Sequence, residues 1–148
     1  MLRNKQIIFA SLFYLIAFVM DTVVTSHGVA SGRGSEGDPL VLFLWSIFGF
    51  DSLFLKIIYV TSVFAISHLL YKKLSRFLGL WIPFSLGIGH LLGFSTWLPL
   101  YFNGFTWIAE LNRAYGTYGI FVVAPILGFF LAVLSRRGKT SFRPINTS

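Results

Sequence analysis

With 148 residues the chain has the length of one domain, yet it is 55% hydrophobic and only 11% charged, against about 25% charged in a typical soluble domain. So few charges cannot cover a water-facing surface, and the apolar residues fall in long runs rather than amphipathic stripes, which excludes an ordinary soluble fold. The absence of cysteine excludes disulfides, thiolate metal sites and iron–sulfur clusters, while a net charge of +7 would point to nucleic acid only if the basic residues formed a patch.

In chain order, the first apolar run covers residues 6–25 and follows Arg3 and Lys5. Residues 39–48 form a second apolar stretch too short to cross a bilayer. Asp38 as N-cap, Pro39 at the first helical position and Gly49 just past the end predict a short helix, interfacial or re-entrant. A second span, 51–71, starts at Asp51 as N-cap and closes before Lys72, Lys73 and Arg76. The third span is 77–101. The fourth, 119–135, is closed by Arg136 and Arg137, and the polar segment 138–148 reads as a mobile tail. Each long run approaches the roughly 20 residues needed to cross a hydrocarbon core. The expected fold is all-α: a single transmembrane domain built as a polytopic four-helix bundle.

The charges orient this bundle. Arg3, Lys5, Lys72, Lys73, Arg76, Arg136, Arg137, Lys139 and Arg143 lie on one side, whereas the other has only Arg33 and Arg113. The positive-inside rule then makes both termini cytoplasmic in a multi-pass protein of the cell membrane. The high pI faces anionic lipid, so no nucleic-acid partner is expected. Arg3, Lys5, the apolar core from Ile7 to Met20 and Gly28-Val29-Ala30 before Ser31 also resemble a cleavable secretory signal. The polar stretch 21–30 is long for a cleavage region, so the first run is read as a retained span.

Small residues mark helix contacts in lipid. Ser85, Gly89 and Gly93 on the third span match Ala124, Gly128 and Ala132 on the fourth, and the two stripes are expected to face each other. On the first span Ala10, Tyr14, Ala17, Asp21, Thr25 and Gly28 share one face, which directs Asp21 into the bundle. Pro83 and Pro125 each free a backbone carbonyl and are expected to kink their helices. Trp97, Tyr101, Trp107, Tyr115 and Tyr118 at the outer ends, with Trp81 near the inner end, read as an interfacial belt.

Titratable groups inside a span are costly and therefore candidates for function. Asp21, Lys56, His68 and His90 qualify. Taking the helix rise, Asp21 and Lys56 lie roughly 6 and 8 Å below the outer ends of their spans, His90 roughly 16 Å, and His68 roughly 5 Å from the cytoplasmic end. Asp21 and Lys56 can pair at one level. His68 and His90 differ too much in depth to ligate one haem. The candidate catalytic set is Asp21, Lys56 and His90, with His90 deeper in the same cavity as a proton partner. Alternatively, the Asp21–Lys56 pair only fixes helix register and His90 bonds a backbone carbonyl. No ligand spacing supports a metal site from Asp21, Glu36, Asp38 and His90, so neither a metal nor a cofactor is expected.

Asp21-Thr22-Val23-Val24-Thr25, Gly28, Glu36-Gly37-Asp38-Pro39-Leu40 and Leu55-Lys56-Ile57 resemble the motifs of a small prokaryotic membrane family of unknown function. Its pattern is Asp-x-x-x-Thr, a Glu followed closely by Asn-Pro, and a Lys early in the next helix. This chain has Asp38 in place of the Asn and one extra residue after Glu36. The resemblance covers about the first 60 residues and implies that Asp21, Thr25, Glu36, Pro39 and Lys56 act together on the outer side. Arg33-x-x-Glu36-x-x-Pro39 is more distantly similar to the four-helix membrane glutathione-transferase group, but an Asn is missing and the loop lies on the other side, so that likeness is set aside.

The leading expectation is a non-catalytic accessory subunit or binding component of a membrane complex, with the lipid bilayer and a membrane-protein partner or a second copy as its contacts. Thr25, Glu36 and Asp38 are its candidate binding residues. The alternatives are an enzyme or proton-linked carrier using Asp21, Lys56 and His90, and a lipid-binding protein with its pocket between the short helix and spans one and two.

Overall fold

The computed structural model describes residues 5–34, 39–49, 52–102 and 104–137, of which 39, 40, 109, 112–118 and 137 are described by backbone alone. Glu36, Asp38, Asp51 and the segment 138–148, and the side chains of Pro39, Arg113, Tyr115 and Tyr118, lie outside what is described. Among the described residues the chain is helical: α1 (Lys5–Ala30), α2 (Pro39–Phe48), α3 (Leu53–Leu69), α4 (Arg76–Tyr101) and α5 (Thr106–Arg137). Four stretches, Lys5–Ala30, Leu53–Leu74, Arg76–Tyr101 and Gly119–Arg136, are long and apolar enough to cross a membrane.

Local chemistry sets where these helices stop. α1 runs five residues past the expected end at Thr25 and closes with Gly32 at φ 69°. The Gly32 amide bonds the Val29 carbonyl and the Arg33 amide the Gly28 carbonyl, both at 3.0 Å. That pair of bonds is a Schellman cap, which needs the left-handed backbone that glycine adopts without strain. Gly49, at φ 88°, closes α2 in the simpler way, its amide 2.9 Å from the Trp45 carbonyl. α5 begins at Thr106, well before the apolar stretch at Gly119, so a segment expected as loop continues the last helix.

α3 does not end at Leu69. It widens into one π-helical turn, Leu70–Leu74, in which the Ser75 amide reaches back to the Leu70 carbonyl at 2.8 Å. The wide turn buries Tyr71 and lets α4 start at once. Ser75 caps α4, its Oγ accepting from the Leu78 amide at 3.4 Å. Gly79 meets the turn so closely that a Cβ there would sit 2.6 Å from the Tyr71 backbone.

α4 is the centre of the assembly, packing extensively on α5 and α1 and less on α3. At the end carrying Lys72, Lys73 and Arg76, here termed the basic end, the packing is apolar: Ile7, Ala10, Tyr71, Leu80, Phe84 and Ala132 form a buried cluster flanked by Phe13, Phe77 and Trp81. Tyr71 donates to Gln6 Oε1 at 3.3 Å, and Gln6 Nε2 donates to the Ser135 carbonyl, which ties α1, the wide turn and α5 together there.

The two small-residue stripes meet over part of their length. A Cβ on Gly128 would fall 2.2 Å from Ser85 Oγ, and one on Gly89 would fall 3.7 Å from the Ala124 methyl. Ala132 is fully buried. Gly93 departs from the expectation: it faces α1, with the Asp21 carboxylate oxygens 3.0 and 3.1 Å from its Cβ position. The physical reason is that a four-residue repeat drifts around a helix of 3.6 residues per turn, so α4 offers Ser85 and Gly89 to α5 and Gly93 to α1.

Trp97 and Trp81 make contacts within the bundle. Trp97 is buried, its ring lying on Gly28 where a Cβ would come within 2.1 Å. Trp81 donates from Nε1 to the Pro125 carbonyl at 2.9 Å, bonding α4 to α5, and stacks on Phe77. Trp107 is exposed, as an interfacial residue would be.

Candidate functional site

Away from the basic end the interior becomes polar. The inward face of α1 continues from the buried Ala10, Tyr14 and Ala17 to the half-buried Asp21 and Thr25. Gly93 leaves room beside the Asp21 carboxylate, so α4 approaches closely enough for His90 to reach it. His90 Nδ1 lies 2.8 Å from Asp21 Oδ2, with the two side chains 20% and 19% exposed. An ionised carboxylate only accepts, so an ionised Asp21 takes this hydrogen bond from Nδ1–H of His90. Thr25 Oγ1 donates to Asp21 Oδ1 at 3.4 Å, one helical turn further along α1.

Aromatic rings surround the imidazole. Phe18 meets it edge-on at 5.1 Å between centroids, Tyr14 lies at 5.9 Å and Tyr59 of α3 at 6.2 Å. Tyr14 is fully buried, and its ring meets that of Tyr59 edge-on at 6.4 Å. Tyr14 and Phe18 also contact Tyr59 directly, which brings α3 against α1 at this level.

Lys56 sits closer to the end opposite the basic end. Its Nζ donates to Ser26 Oγ at 3.3 Å, between α3 and α1. The expected depths explain the arrangement once α1 is given its true length. Asp21 is nine residues from the end of α1 and His90 eleven from the end of α4, about 13 and 16 Å, so they are level. Ser26 and Lys56 are about 6 and 5 Å from their helix ends and share another level. The sequence-based levels of Asp21 and Lys56 matched only because α1 was read five residues short. His90, expected to lie deeper than Asp21, is instead its immediate partner.

The candidate residues thus form two steps on the α1–α3–α4 side: Lys56 with Ser26 nearer the helix ends opposite the basic end, and Asp21 with His90 and Thr25 further in. Sequence reasoning did not single out Ser26, Phe18 or Tyr59. Ser26 is detectable as the hydroxyl one turn above Thr22 on a helix that the Schellman glycine extends. His68, on α3, is half-buried near the basic end and remote from this group in sequence depth. Among the described residues no three His, Cys, Asp or Glu side chains converge as a metal would require. The chemistry open to the inner step is proton exchange between carboxylate and imidazole, or hydrogen bonding to a ligand or a partner side chain.

A groove of about 320 Å³ opens elsewhere, between α1 and α4 at the end opposite the basic end, lined by Val23, Val24, His27, Phe94, Leu98, Tyr101 and Phe102. It includes none of Asp21, Lys56 and His90. Nor does it lie between α2 and the first two long helices, where a lipid pocket was expected.

No known family profile, characterised protein or solved structure matches this chain, so the resemblance in its first 60 residues rests on the quoted motifs alone.

Proposed function

We propose that the chain is a multi-pass membrane protein with both termini cytoplasmic, acting as a non-catalytic binding component, or accessory subunit, of a membrane assembly. The observation that carries this reading is the thin packing of α3. Only 11% of its apolar stretch is buried within the bundle, and Phe54, Ile57, Ile58, Ile66 and Leu69 are exposed. Helices in lipid associate through close packing and polar contacts rather than through expulsion of water, so a helix this sparsely packed has a face suited to a neighbouring helix. The Asp21–His90 pair lies on the same α1–α3–α4 side, and partly exposed polar groups at such depth favour protein or a wet cavity over hydrocarbon. α2, whose Leu42, Phe43, Ile47 and Phe48 are exposed, suits the outer interface better than the bundle interior.

The test is photo-crosslinking in native membranes from positions 58 and 66 of α3. Discrete protein adducts at one or both positions support the subunit reading, and adducts with lipid alone refute it. A proton-linked reading is favoured by one specific observation, the direct contact of His90 with Asp21. It requires pH-dependent transport or turnover that Asp21→Asn abolishes in a folded protein.

A further inference from the structure

We infer that the groove between α1 and α4 at the outer end is a binding site for one acyl chain of an anionic lipid, whose headgroup lies on Arg33. This goes beyond the subunit reading but rests on its placement of the helices in a bilayer.

Val23 and Val24 of α1 and Phe94, Leu98 and Phe102 of α4 make an apolar trough, and at about 320 Å³ it is at the small end of the range of roughly 300–1,000 Å³ for ligand sites. It runs between two helices that are held together on either side, by Trp97 lying on Gly28 and by Asp21 against Gly93. It is therefore a feature of the packing rather than of a mobile loop.

The groove surface is apolar, and polar and basic groups lie beside it. His27 Nδ1 and Tyr101 Oη, on two of the lining residues, are 2.8 Å apart and link α1 to α4 there. The Arg33 guanidinium carbon lies 4.8 Å from the centre of the same Tyr101 ring, where a cation–π contact fixes the charge over the groove. The Schellman cap at Gly32 sets this geometry, because it turns the chain back over the end of α1 at the residue before Arg33.

The placement of Arg33 is otherwise unexplained. Of twelve basic residues it is one of two in the segments opposite the basic end, where the positive-inside rule disfavours Lys and Arg. An apolar groove with a cation held on the ring of one of its lining residues complements an anionic amphiphile. Basic groups between helices at headgroup level recognise such lipids by the same charge match.

The test uses the full chain with Trp45, Trp81 and Trp107 replaced by Phe, leaving Trp97 as the sole fluorophore beside the groove. The protein is reconstituted in phosphatidylcholine vesicles containing equal small fractions of brominated phosphatidylglycerol or brominated phosphatidylcholine. The expected result is an apparent affinity about fivefold higher for the anionic quencher. Arg33→Gln, an exposed position, should remove that preference, and Lys72→Gln with Lys73→Gln, at the opposite end, should retain it. Val24→Phe should weaken quenching by both lipids. Equal quenching by the two lipids, or a preference unchanged by Arg33→Gln, overturns the inference while leaving the membrane reading intact. Failure of the protein to float with the vesicles overturns both.

Discussion

His90 and Asp21, 69 positions apart in the chain, meet at 2.8 Å and join α4 to α1. Removing one partner of such a pair leaves the other without compensation, whereas removing both leaves only a packing change. Asp21→Leu or His90→Leu is therefore expected to cost about 2 kcal/mol, below the full penalty of a buried pair because both groups are about one-fifth exposed. The double variant should cost less than either single change. Unfolding in mixed detergent, followed by circular dichroism, measures all three, and additive losses would show that the pair is not energetically coupled.

The glycines of α1, α4 and α5 separate close contacts from open ones. Gly128→Ala places a methyl 2.7 Å from the Ser85 backbone, and Gly28→Ala places one within 2.1 Å of the Trp97 ring. Each should destabilise by about 1–3 kcal/mol. Gly89→Ala meets only the Ala124 methyl, at 3.7 Å. It should be neutral, or stabilising by up to about 1 kcal/mol through helix propensity. The same unfolding measurement ranks the three.

Trp81→Phe keeps the aromatic surface but removes the donation to the Pro125 carbonyl. A loss of about 1 kcal/mol is expected, with α5 losing amide-exchange protection around Pro125 before the other helices. Unchanged protection there would mean that the bond does not hold α4 to α5.

The lack of native cysteine makes topology directly measurable. Ser31→Cys should react with a membrane-impermeant maleimide in intact cells. Ser75→Cys, next to Lys73 and Arg76, should react only after permeabilisation. The reverse pattern would invert the orientation inferred from charge.

The helical architecture was legible because long apolar runs and their basic flanks have one common physical cause, the cost of burying charge in hydrocarbon. The inward face of α1 was legible too, since small and polar residues recur at helical spacing from Ala10 to Gly28. The partner of Asp21 was not. Ser26 and His27 lower local hydropathy and made Thr25 look like the end of the span, whereas Gly32 is the residue that stops the helix. With α1 five residues short, the depth estimate matched Asp21 to Lys56 instead of His90. The fate of Gly93 was hidden for a related reason: spacing along one helix says which residues share a stripe, but not which neighbour each end of the stripe meets. The π-helical turn before Ser75 left no signal in composition, because its purpose, bringing Tyr71 onto Gly79, is a tertiary contact.

The central claim is that this bundle is completed by another protein on its α3 side. The mass of the intact particle extracted from native membranes in mild detergent tests it most directly. The account predicts a stoichiometric complex or a defined oligomer, which dissociates when Ile58 and Ile66 are replaced by bulkier residues. A particle with the mass of a single chain, folded and bound only to lipid, would contradict it.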